Sequence, residues 1–272
     1  MGEWPSQAVN DFRGRRLPEP ATPSGYAALI TAYDLSLPLP PRLAAIAERH
    51  HPVPTSDWIL LTPRHRPEAS LAGQLVFAMK WEGIDLGVLA QLFKTIEPEA
   101  IREFVMATPT GAFARRAWYL YEWLTGTELE IPDPGKVRLV TIVDPKLQFA
   151  LAKGQVSSRH KILDNLPGTP AFCPMVRRTP ALQAAADKQL DKRVRAEIGR
   201  VRPDLVARAA AFLLLNDSKS SFAIEGEKPS GTRAARWGQA IAQAGSNPVT
   251  LAEFDRLQSI VIGDARFVKL GL

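Results

Sequence analysis

Between Ala69 and Leu124 apolar residues recur every three or four positions in four successive runs, each bounded by a residue that starts or stops a helix. Leu71, Leu75, Ala78 and Met79 share one face of the first run, which Gly83 ends. Asp85 caps the second, whose inward residues are Leu86, Leu89 and Phe93. Pro98 opens the third, with Ile101, Phe104 and Val105 apolar. Thr110 caps the fourth, where Phe113, Ala117, Leu120, Tyr121 and Leu124 form a wide stripe closed by Gly126. The period then changes to two: over Gly135 to Val143, residues Val137, Leu139, Thr141 and Val143 alternate with their neighbours and predict a strand.

Helical periodicity returns at Pro180. One helix is predicted over Ala181 to Ile198, and another from Pro203 to near Asn216. A short third one lies around Ser221 and stops at Gly226. Thr232 to Ala244 follows, then a helix opened by the capping box Thr250 to Glu253 and stopped by Gly263. The first 40 residues are rich in Pro, Arg and Ser and predict an irregular arm with a short helix over Tyr26 to Tyr33. Arg42 to His50 reads as a second short helix, its apolar face formed by Leu43, Ile46 and Ala47. The expected fold is mainly α: an arm over 1–66, a helical domain with one small β element over 67–179, and a helical segment over 180–272.

Composition narrows the chemistry. With 46% apolar residues the 272-residue chain can bury a real core, and no apolar run has the roughly 20 residues of a membrane helix. The single cysteine, Cys173, rules out an intrachain disulfide, and the expected compartment is the cytoplasm. The net charge of +6 is spread along the chain, which makes nucleic acid an improbable partner without excluding it. His50 and His51 are adjacent, so on a helix they point apart and do not make a metal pair. Gly135-Lys136 lacks the flanking residues of a phosphate loop. Two basic stretches, Ser157 to Lys161 and Arg177-Arg178, read equally as phosphate-facing or as solvated loop charge. Tight turns between short helices leave a helical DNA- or protein-binding module as an alternative, with Arg115-Arg116 near a phosphate backbone.

The stretch Ser220-Ser221-Phe222-Ala223-Ile224-Glu225-Gly226 carries the most specific signal. On a helix, Ser221 and Glu225 lie one above the other, and Gly226 ends the helix. A carboxylate on a last turn is disfavoured by the helix dipole and calls for a cation from elsewhere. Leu213 to Glu227 resembles the inhibitory-helix segment of bacterial Fic proteins, which move AMP from ATP onto protein hydroxyls. The family pattern of Ser or Thr, three residues, Glu, then Gly or Asn falls on Ser221, Glu225 and Gly226. Further blocks are similar to the same family: Arg116 to Gly126, Asp164 to Pro174 and Ile260 to Val268, so that the likeness spans roughly residues 65–272.

The resemblance implies a regulatory helix followed by the first helices of a Fic-type domain, with Glu225 as the brake and Ser221 holding the helix in register. ATP and Mg would be cofactors of the complete family enzyme only, and a protein would be its substrate. One departure is large. The family's catalytic run, His-x-Phe-x-(Asp/Glu)-Gly-Asn-Gly-Arg followed by a second Arg, does not occur; the four histidines are His50, His51, His65 and His160. The expectation is a truncated or split chain that ends before its active site, inactive alone, whose partner is the missing catalytic segment.

Overall fold

A computed structural model describes residues 2–49, 55–224, 226, 228, 230–243 and 245–262. The chain divides into two compact units, Met1–Gln183 and Ala184–Leu272. It is about 46% helix and 14% strand, with sheets of four and three strands. This α/β mixture corrects the expectation of a mainly α chain with one small β element.

The largest correction falls on residues 1–66. Strands β1 (Val9–Phe12), β2 (Arg15–Ser24), β3 (Leu43–Ala47) and β4 (Trp58–Leu61) form a sheet in that order. The first two pairings are antiparallel and β3 runs parallel to β4. Helix α1 (Tyr26–Ala32) connects β2 to β3. Prolines 18, 20 and 23 argue against a strand, because proline cannot donate to a ladder. Pro18 and Pro20 lie where the β1 register slips between Val9 and Asp11, before the pairing to β3 begins at Ala21.

The segment expected as a helix at Arg42 to His50 is β3, and all five strand residues are buried. A short unbroken apolar run fits a two-faced inner strand as well as a helix, and only the pairing decides. Leu43 and Ala45 join the main core beside Trp58 and Leu60, while Ala44 and Ile46 face the other way with Ile59, Leu61 and Phe77. That is the period of a strand.

Helices α2 (Leu71–Trp81), α3 (Leu86–Thr95), α4 (Pro98–Ala107) and α5 (Ala112–Thr125) follow as the periodicity predicts. Ser70 caps α2 by accepting from the Gly73 amide, and Asp85 caps α3 by accepting from the Val88 amide at 3.0 Å. The α5 cap position is Gly111 rather than Thr110, and no side chain bonds there. Trp118 is fully buried at the middle of α5.

The predicted strand at 137–143 shrinks to β5 (Val140–Thr141), which pairs parallel with β7 (Ile162–Asp164). β6 (Gln155–Ser157) completes this second sheet antiparallel to β7. Asn165 fastens the sheet to its loop: its amide accepts from Val143 N at 2.9 Å and donates to Val143 O at 3.0 Å.

One carboxylate ties the first sheet to the helices. Glu82, 1% exposed, accepts from Tyr26 N at 3.0 Å and from Ala44 N at 3.1 Å. A side chain at Gly25 would put its Cβ 2.0 Å from the Glu82 carboxylate, and Gly25 has φ of 64°, so glycine is required there. Burial pushes Glu82 up to about 8, against the pull of the two backbone amides.

The second unit is helical. α6 (Pro180–Asp187) leads into it across the unit boundary, and the single helix expected over 181–198 is interrupted there by Gln189 in a left-handed conformation, φ 45°. α7 (Leu190–Ile198) resumes after it. α8 (Pro203–Ile224) is one continuous 22-residue helix where two shorter ones were expected. α9 (Gly231–Ala242) packs on α8 and α10 (Leu251–Ile262) packs on α9. The expected stop at Gly263 lies outside the described residues. At the start of α10 the Thr250 hydroxyl accepts from Glu253 N at 3.2 Å. The Glu253 carboxylate turns to Arg256 at 2.7 and 2.8 Å and to Asn247 at 3.0 Å, so half of the capping box forms.

Candidate functional site

The C-terminal end of α8 holds two of the three residues singled out by sequence. Ser221 is exposed in the last turn, and its hydroxyl donates to Asp217 O at 3.1 Å. This back-bond to the preceding turn uses the hydroxyl proton and leaves the oxygen's lone pairs as acceptors. Gly226 has φ of 72°, the left-handed conformation that stops a helix, and its amide donates to Ala223 O at 3.1 Å. Nothing lies within 4 Å of a Cβ built on it, so glycine serves the backbone there and not a tight fit. Glu225 lies outside the described residues.

The adjoining face of this helix end is anchored. Phe222 is 7% exposed and Ser218 fully buried, its hydroxyl bonded to Leu214 O at 2.7 Å. Gly238 of α9 comes up against Ser218 and Leu214, with a built Cβ 3.4 Å from the Ser218 oxygen. Small residues at this crossing let α9 approach closely and fix the rotation of α8 about its axis. Ser218 and Gly238 belong to no sequence motif; their signal is smallness at helical spacing.

The other candidates resolve as follows. Arg115 is 3% exposed and donates to Arg138 O at 3.1 Å and Lys161 O at 2.7 Å. Arg116 donates to Thr141 O at 2.7 Å and stacks over Phe113. Both guanidinium groups therefore tie α5 to the segments that form the second sheet. His50 and His51 lie outside the described residues. Among the described residues no group of three or more His, Cys, Asp or Glu side chains is placed to hold a metal.

Of the two basic stretches, the first is engaged by the fold. Lys161 pairs with Asp133 at 3.0 Å, and Arg159 reaches Glu122, the Leu129 carbonyl and the face of Trp118. His160 sits between Ser157 Oγ, 2.7 Å from Nδ1, and Glu122 Oε2, 2.9 Å from Nε2. Burial pushes His160 below its ordinary range, although Glu122 opposes this. The neutral ring then donates from Nε2 to Glu122 and accepts from Ser157. Burial also pushes the Glu122 carboxyl up, but bonds from Leu129 N, Trp118 Nε1 and Arg159, with His160, bring it below the usual range. A serine, imidazole and carboxylate in series have the connectivity of a nucleophile relay. Here His160 is 6% exposed and covered by Trp118 and Tyr119, and Glu122 already serves four donors, so the series is a clamp between α5 and the β6–β7 turn.

Cys173 lies 3.9 Å from the Met175 sulfur, and burial with the Asp164 charge pushes its thiol up, so it is protonated at neutral pH. Among the described residues no helix is long and apolar enough to cross a membrane. Comparison with known proteins gave no matching family model, no matching curated protein and no matching solved structure.

Proposed function

We propose that this chain is the regulatory part of a Fic-type protein AMP-transferase, acting in the cytoplasm, and that the end of α8 is its brake. One observation carries the reading: α8 runs unbroken through Ser221 to Ile224 and Gly226 beyond it is left-handed, with Phe222 and Ser218 anchoring the adjoining face. A side chain presented from such an end is held at fixed height and rotation, so its local concentration at a docked partner is high.

The action is competition. The Glu225 carboxylate pairs in two-pronged fashion with the second arginine of a Fic catalytic loop, the same cation that receives the terminal phosphate of ATP. With the arginine occupied, the phosphate loses its counter-charge and meets a like one. Ser221 accepts a hydrogen bond from the docked segment and keeps the helix in register. These 272 residues contain no Fic catalytic run, so the arginine, ATP and Mg belong to a segment outside them.

The test supplies that segment. A polypeptide carrying the His-x-Phe-x-(Asp/Glu)-Gly-Asn-Gly-Arg loop, without an inhibitory helix, is mixed with this chain and assayed for AMP incorporation into protein. The wild-type chain lowers the rate, and Glu225→Gly restores it by about tenfold or more, the equivalent of one lost ion pair at about 1.4 kcal/mol or above. Equal rates with both chains remove the proposal.

A further inference from the structure

Positive charge gathers without partners at a second place, inside the first unit. A cleft of about 770 Å³ is lined by Arg42, Arg177 and Arg178, with Asp85 as its carboxylate. Its floor is rigid. Phe149 N donates to Val176 O and Arg178 N to Leu147 O, both at 2.8 Å, and Gln148 bridges to Arg177. The buried Gln148 amide then holds both backbone groups of Ile84 at 2.8 Å. The two arginines are therefore aimed by backbone pairing and not left on a free loop.

Among the described residues Arg42, Arg177 and Arg178 make no ion pair, and Arg42 and Arg177 have no side-chain hydrogen bond. The Nε atoms of Arg42 and Arg178 are buried with no partner. Arg178 lies 4.1 Å over the Phe149 ring and gives one N–H to Gln183 at 2.5 Å, which fixes its plane. Asp85 offsets one of the three charges, and its Oδ1 accepts from Val88 N. Burial first, and then the charge of Arg177, hold Arg42 below its ordinary range: like charges share the cleft. A fold that keeps cations together and partly desolvated without counter-charge is stabilised by an anion.

The geometry points to a binding site for the phosphate group of a small molecule, clasped by Arg42, Arg177 and Arg178, with Leu86, Cys173 and Met175 as an apolar wall for the rest of the ligand. Three guanidinium groups less one carboxylate leave a charge of +2 in the cleft, and a phosphate monoester carries about −1.5 to −2 at neutral pH. Planar N–H forks match phosphate oxygens two at a time. The first turn of α3, at Leu86 and Gly87, opens onto the same cleft and adds its dipole. The volume is that of a small-molecule site.

Calorimetry on the full chain, with inorganic phosphate, a nucleoside monophosphate and citrate as titrants, tests this. Saturable heat with either phosphate compound is expected, the monophosphate binding more tightly if the apolar wall is used and equally if free phosphate is the ligand. The double variant Arg42→Gln/Arg177→Gln weakens that binding by about tenfold or more. Its unliganded melting temperature stays the same or rises, since neither guanidinium has a protein partner to lose. Arg42→Lys, which keeps charge but not the fork, falls between. No saturable heat with either phosphate compound overturns the proposal, as does unchanged affinity in the folded double variant or tighter binding of citrate. Binding to duplex DNA that falls steeply with salt and is lost in the double variant also overturns it, in favour of a nucleic-acid surface.

Discussion

The two units treat the same kinds of side chain in opposite ways. In the first, Trp58, Trp118, Tyr26 and Leu92 are wholly buried, and one core joins the first sheet, α1 to α5 and the second sheet. In the second, Phe212 is 64% exposed, Leu213 66% and Ile224 84%, although they belong to a long, regular helix. The buried residues there are Ser218, Phe222, Ala234, Gly238 and Ala240 among those described, mostly small. Burial of apolar area is what offsets chain entropy, at roughly 25 cal/mol per Å². The first unit has that term in full. The second has a framework of helices on which large apolar side chains are exposed among the described residues. This fits the proposed regulatory role, in which α8 presents its end to a catalytic segment.

Five measurements sharpen or break the comparison. Trp118→Ala removes a wholly buried indole together with its bond to Glu122, and should destabilise the first unit by about 3–5 kcal/mol in urea unfolding. Glu82→Gln comes next, at about 1–3 kcal/mol, because an amide NH₂ then faces either Tyr26 N or Ala44 N.

The same carboxyl gives a pH signature. Folded Glu82 titrates near 8 and the ordinary value is 4.5, so between these pH values the folded chain keeps a proton that the unfolded chain has released. Stability of the first unit should therefore fall as pH rises through that window, by up to about 1.4 kcal/mol per pH unit, and Glu82→Gln should flatten the slope. A rise with pH would contradict the buried, protonated assignment.

Gly226→Ala should cost about 1 kcal/mol or slightly more, seen as faster hydrogen exchange at the end of α8, since only its left-handed φ is at stake. Phe212→Ala should change stability by no more than about 0.5 kcal/mol. A loss comparable to that of Trp118→Ala would mean that the α8 stripe is covered in solution. The addition of a Fic catalytic segment should create such a loss, which links this measurement to the proposed function.

Sequence patterning located α2 to α5, because those helices have long periodic stripes and clear stops: Asp85 and Gly126 act as read. It misread Leu43 to Ala47, where five apolar residues carry no period of their own and the strand exists only because Ala21 to Ser24 lie on one side and Trp58 to Leu61 on the other. It split α8 at Asn216, a residue of low helix propensity that α9 packing overrides. At the end of α8 the left-handed Gly226 was legible because it is local, while Ser218 and Gly238 acquire meaning only from the approach of a second helix.

The amino-acid order alone set the α2 to α5 helices, the Asp85 cap and the left-handed Gly226, since each depends on residues within one or two turns of each other. Tertiary structure decided the β-sheet of the first 61 residues, the buried state of Glu82 and which arginines are engaged. Arg115 and Arg177 carry the same charge, but one meets the Arg138 and Lys161 carbonyls and the other meets Arg42, and these neighbours, each more than 20 residues away in the chain, determine which.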